Sequence, residues 1–134
     1  MLYIFTTTRG SSKKEHFYRA MKKYRPNFIN DTAPFIVIHS EYESEKTLVY
    51  KIREEIESID ELGNFYYFTL SSFEFDVIRL FVKKGLVPGG AKLVVFDEKS
   101  EIIGEYDIDK DGHCEVFGDY DIFEAHGNVL SELL

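Results

Sequence analysis

The residues best suited to chemistry gather in three short stretches, TTTRGSS at 6–12, HSEYES at 39–44 and LSSFE at 70–74. Each follows an apolar run and precedes a helical pattern. In the first, Arg9, Ser11, Ser12 and Lys13 beside a helix start would suit a phosphate or another small anion, because the first turn of a helix offers unsatisfied N–H groups and partial positive charge. The spacing is not that of a Walker loop. In the second, His39, Glu41, Tyr42, Glu43 and Ser44 supply bases, acids and an aromatic. Nucleophilic catalysis needs a nucleophile in reach of an oriented base, and neighbours such as His39 and Ser40 on a strand point to opposite faces. Paired carboxylates would do acid–base work if burial separated their pKa values. Tyr42 between glutamates equally suits the basic groove of a protein partner. Ser71 and Ser72 complete the set. The same letters also read as plain helix caps, with acids placed favourably near positive helix ends.

Metal chemistry is poorly served. Cys114 is the only cysteine, so one chain forms neither a disulfide nor a cysteine-based zinc site, and a lone cysteine reads as a small buried hydrophobe. His16, His39, His113 and His126 lack metal-like spacing. Asp107, Asp109, Asp111 and Gly112 imitate the opening of a calcium loop, but the twelfth position is Gly118 where a bidentate carboxylate is required. A tight turn with Gly112 at positive φ explains the stretch better. No metal and no cofactor is expected.

These residues need elements to hold them. LYIFT (2–6), FIVIH (35–39), FYYFTL (65–70), KLVVFD (92–97) and IIGEYD (102–107) read as strands, and HCEVF (113–117) as a further short one. Ser12 with Glu15, Ser40 with Glu43 and Ser71 with Glu74 have the spacing of capping boxes. The helices they open carry apolar faces of Phe17, Met21 and Tyr24; of Leu48, Val49, Ile52, Ile56 and Ile59; and of Val77, Ile78, Phe81 and Val82. Pro26, Gly63 and Gly85 are placed as their stops. From Tyr120 a last helical face runs through Ile122, Phe123, His126, Val129, Leu130 and Leu133. The expected order is β-α-β-α-β-α-β-β-(β)-α in a single domain of 134 residues, with a core over 1–107 and an extra strand and helix over 108–134. Helical crossovers imply that the first three strands are parallel, and the closing hairpin adds antiparallel strands at one edge.

That order resembles the thioredoxin-like superfamily. FIVIHSEYESEKTLVYKIREEI is similar to that family's central strand, active-site loop and long helix, and FVKKGLVPGGAKLVVFDEKSEIIGEY to its third helix, proline-bearing loop and terminal hairpin. The resemblance implies an α/β fold with a central mixed sheet flanked by helices. It also implies a CxxC pair at 43–46, where this chain has Glu43, Ser44, Glu45 and Lys46, and a cis-proline immediately before the antiparallel strand, where Pro88 stands three residues too early. Thiol–disulfide exchange needs a thiolate, so the scaffold is expected without the redox activity.

Composition narrows the partners. The chain is 44% hydrophobic and 30% charged, which suits a folded domain, and 12 Phe and 9 Tyr supply large buried area. Net charge is −8, from 16 Lys and Arg against 24 Asp and Glu. That excess disfavours nucleic acid, whose phosphates are neutralised by Lys and Arg. The opening MLYIFTTTRG lacks the basic region of a secretory signal, and no apolar run nears the ~18 residues of a membrane span. A cytoplasmic, redox-inactive binding protein is the leading expectation, acting on a protein partner of basic character as an inhibitor, immunity protein or adaptor. An enzyme or sensor for a small anion at the strand ends is the second reading, and an oligomerisation domain the third.

Overall fold

A computed structural model of the chain describes residues 1–7, 14–24, 35–38, 44–58, 64–69 and 72–115. Five strands and three helices follow in the order β1 (Leu2–Thr7), α1 (Lys14–Tyr24), β2 (Phe35–Ile38), α2 (Glu45–Glu57), β3 (Phe65–Phe68), α3 (Ser72–Lys83), β4 (Ala91–Phe96) and β5 (Ile102–Ile108). They build one mixed α/β sheet in the order β2-β3-β1-β4-β5. β1 pairs in parallel with both β3 and β4, β2 pairs in parallel with β3, and only β5 is antiparallel.

The direction of β4 corrects the expectation. The first strand of the hairpin was expected to be antiparallel; it instead runs parallel to β1, from Leu2↔Ala91 to Thr7↔Phe96. The reason lies in α3, which is itself a crossover and returns the chain to the starting edge of the sheet. Nor does the Pro88 loop carry a cis bond, since no cis peptide occurs among the described residues.

The winding explains which helix covers which face. From β1 the chain steps across β3 to β2, then reverses and steps back through β3 and over β1 to β4. Crossovers of one hand put helices on opposite faces when the direction of travel reverses. Accordingly α1 packs on one face, where Phe17, Ala20 and Met21 join Phe5, Tyr66, Phe68, Val94 and Phe96. On the other face α2 and α3 lay Leu48, Val49, Ile52, Ile56, Val77, Ile78 and Phe81 over Leu2, Ile4, Phe65, Tyr67, Leu93 and Val95. Alternation along β1 and β4 feeds both layers, as a sheet buried on both faces requires. The α1 side is aromatic: Phe17 stacks on Phe68 at 5.0 Å and Tyr3 on Tyr66 at 5.5 Å between ring centres.

Two helix boundaries differ from expectation. α2 begins at Glu45, capped by Ser44 rather than Ser40; the Ser44 hydroxyl accepts from the Thr47 N–H at 3.3 Å. It ends at Glu57, well before Gly63, where the Ser58 hydroxyl donates to the Glu55 carbonyl. Ile59, Gly63 and Pro26 lie outside the described residues, as does the expected helix from Tyr120. Of the extra strand at 113–117, the described part is one antiparallel bridge between Ile108 and Cys114.

The β4–β5 connection and the turn after β5 share one construction. Asp97 Oδ1 accepts from the N–H groups of Lys99 and Glu101, and Asp109 Oδ1 from those of Asp111 and His113. In each, the fourth residue has positive φ: Ser100 at 61° and Gly112 at 79°. The turn expected at Gly112 is therefore present. Ser100 is buried, and among the described residues its hydroxyl finds no partner. The same position thus tolerates different residues for different reasons. A Cβ on Gly112 would sit 2.6 Å from the Arg79 carbonyl oxygen. Ser100→Gly should stabilise the protein by about 1 kcal/mol, since it removes a left-handed non-glycine residue and a buried unpaired hydroxyl. Gly112→Ala should destabilise it by about 2–4 kcal/mol through strain and overpacking. Urea unfolding of both variants checks this, and two shifts of the same sign would contradict it.

Candidate functional site

In an open α/β sheet, ligands gather outside the carboxyl ends of strands where the direction of winding reverses. Here that point lies between β1, which leads to α1 on one face, and β3, which leads to α3 on the other. The described groups there are Thr7, Thr69 and the first turn of α3. Thr69 closes the end of β3 by donating its N–H to the Phe5 carbonyl at 3.1 Å. Its hydroxyl donates to Glu74 at 2.5 Å, and the Tyr67 hydroxyl donates to the same carboxylate at 2.9 Å. All three residues are buried. A carboxylate in the first turn of a helix already supplies the negative charge that its positive end favours. At α3, then, the chain's own Glu74 stands where an anionic ligand would be sought, while the hydroxyl of Thr7 at the end of β1 takes no partner among the described residues.

Of the residues singled out from the sequence, Ser44 is an exposed helix cap whose hydroxyl also meets the Thr47 hydroxyl at 2.8 Å. Ser72 opens α3. Arg9, Ser11, Ser12, Lys13, His39, Glu41, Tyr42, Glu43 and Ser71 lie outside the described residues. Cys114 is buried. Asp109 Oδ1 accepts two backbone N–H groups, which builds the turn at Gly112. The His113 N–H holds the Asp109 carboxyl below the usual aspartate range, opposed by desolvation and helped by the Asp111 N–H. Among the described residues no group of three or more His, Cys, Asp or Glu is placed to hold a metal ion.

The sequence pattern missed the densest polar cluster, which lies on the β4–β5 hairpin. Lys92 donates to Glu105 at 2.8 Å and lies 3.7 Å from Asp107. The Tyr24 hydroxyl donates to the same Glu105 oxygen at 2.5 Å, tying the end of α1 to the edge strand. Lys23 reaches Glu101 at 2.6 Å and the Lys99 carbonyl at 3.3 Å. The signal was available: Glu105 and Asp107 are two apart on a strand, and so share a face. Their surroundings stay wet, with the side chain of Asp107 81% exposed. Such pairs contribute about 0–1 kcal/mol each, so the cluster shapes surface charge more than it stabilises the fold.

No family model matches the chain, and no curated protein or solved structure shows significant similarity to it. Among the described residues no helix is long and apolar enough to cross a membrane.

The cluster makes a titration prediction. The Lys92 ammonium, and after it the Tyr24 hydroxyl, hold Glu105 below the usual glutamate range, and Glu105 in turn raises Lys92. A lowered folded-state value means that this support is present above the unfolded glutamate value and fades as pH falls through the folded one. By NMR, the Glu105 midpoint should lie below that of an ordinary glutamate and rise in Lys92→Met, and less in Tyr24→Phe. A midpoint unmoved by Lys92→Met would show that the pair does not form in solution.

Proposed function

We propose that this protein is an acidic binding protein that engages a basic protein partner through the β4–β5 hairpin and the turn after it, in an inhibitory or adaptor role. One observation carries the reading. Residues 97–115 hold eight carboxylates and two lysines, so this stretch bears −6 of the chain's −8. Glu98, Glu101, Glu105, Asp107, Asp109, Asp111 and Glu115 are all exposed on it. Concentrated charge of one sign steers encounter with an oppositely charged surface and rejects like-charged ones. Amid these acids Ile103 is 54% exposed, an apolar contact point within a polar rim.

The buried polar groups favour the same reading over catalysis. Glu74 is held by Tyr67 and Thr69, which ties α3 to β3, and Asp76 by Arg79 within α3. The thioredoxin-like reading of the scaffold remains part of the proposal only as an element order; the parallel β4 departs from it, and the binding surface proposed lies on the hairpin, not at residues 43–46.

The test uses the full chain purified from its native source at low ionic strength. A stoichiometric basic partner should accompany it and be released by salt. The double variant Glu98→Lys/Asp111→Lys should fold with an unchanged melting temperature and lose the partner. Glu54→Lys, an exposed site on α2, should keep it. Equal loss in both would assign the effect to net charge rather than to the hairpin, and retention by the double variant would overturn the proposal.

A further inference from the structure

The outer edge of β5 has a further use. It ends the sheet, and among the described residues no strand pairs with it between Ile102 and Asp107. The direction of its backbone groups between Gly104 and Ile108 is set beyond the register shift opposite Val95 and Phe96, where the ladder runs Val95↔Gly104, Leu93↔Tyr106 and Ala91↔Ile108. Asp109 donates its N–H outward, to the His113 carbonyl at 3.0 Å. With a period of two, the N–H groups of Glu105 and Asp107 point outward as well. The chain already uses this edge once, where Cys114 bridges to Ile108.

We infer that the edge of β5 accepts an extended segment of the partner as an added antiparallel or parallel strand, and that this segment alternates basic and apolar residues. The inference rests on the binding role proposed above and names how the partner is held. The alternation follows from the two faces of β5. On one face stand the carboxylates of Glu105 and Asp107, with Lys92 meeting them from β4. On the other stand Tyr106, packed against the core, and Gly104, over which the Tyr106 ring lies. A strand laid beside β5 would therefore set every second residue against carboxylates and the ones between against an aromatic face. Lysine or arginine at the first set and valine or isoleucine at the second complement it.

A second copy of this chain is a poor occupant. Two β5 edges brought together would confront Glu105 and Asp107 with their own equivalents, and like charges across a strand pair are destabilising. The extra residue at the irregularity between Val95 and Phe96 further spoils a flat self-pairing edge. The same features that block self-association select a basic strand.

The experiment uses the full chain and a short capped peptide of alternating valine and lysine. Binding at low salt should slow amide exchange at Glu105 and Asp107, measured by NMR. A peptide of the same sequence and charge, N-methylated at the residues whose N–H would face β5, should bind about tenfold more weakly, the loss expected for one or two hydrogen bonds. Equal affinity of the two peptides, or slowed exchange elsewhere only, would overturn strand addition while leaving the acidic surface as the binding site. Failure of both peptides to bind would count against that surface too. Protection of the same amides by self-association in the absence of peptide would make a second copy the occupant and likewise overturn the inference.

Discussion

Arg79 cannot discard its charge, and it is buried to 1% exposure. A guanidinium stays protonated in any protein interior, so everything around it must answer that charge. Asp76, one turn earlier on α3, takes one N–H group at 3.3 Å. The carbonyl of Gly112 takes another at 2.7 Å, and the ring of Phe75 lies 5.8 Å from the guanidinium carbon. The Gly112 contact reaches from the helix to the turn after β5 and closes from both sides, since Gly112 also sits against the Arg79 carbonyl with no room for a Cβ. Removing one partner of such a buried pair costs about 3–5 kcal/mol, a large share of the ~5–15 kcal/mol that holds a domain folded. This anchor fixes where β5 ends, and so where the edge strand presents its backbone.

The rest of the architecture divides the work between two unlike layers. The α2 and α3 side is mostly aliphatic and is covered by two helices. Among the described residues the α1 side has a single helix, so fewer side chains fill the gap. Rings do this with few residues: Phe5, Phe17, Tyr66, Phe68 and Phe96 make one aromatic slab, with Tyr3 and Tyr24 at its margin. Tyr24 is amphipathic, and its hydroxyl leaves the slab to meet Glu105. The margin of the aromatic core is thus also the margin of the acidic surface.

The strands were legible because their apolar runs are short, β-rich and bounded by turn residues; each observed strand matches its expected run to within two residues. The apolar face of α2 was legible from its spacing. The direction of β4 followed from the same crossover rule applied to the first three strands and was obscured by the family pattern laid over it. The cap at Ser44 was hidden because Ser40-x-x-Glu43 and Ser44-x-x-Thr47 compete, and a spacing rule cannot weigh which serine ends the strand. In α3, every residue from Phe73 to Val82 is buried, charged ones included. An amphipathic reading assigns Glu74, Asp76 and Arg79 to solvent. Their partners come from Tyr67, Thr69 and Gly112, and only folding brings these near.

Charge on an edge strand has a double consequence. An unpaired edge is a template for any chain that can extend beside it, and proteins blunt such edges with charges and irregular residues. β5 shows both devices, yet its carboxylates are not simply repulsive. Lys92 stands between Glu105 and Asp107 and moderates their mutual repulsion, and Tyr24 holds Glu105 in place. Protection by indiscriminate bulk would close the edge to every partner. Ordered carboxylates disfavour an acidic strand, and in the binding role proposed above they would favour a basic one. On that proposal, the features that disfavour self-pairing of this edge are also the ones that would select its partner.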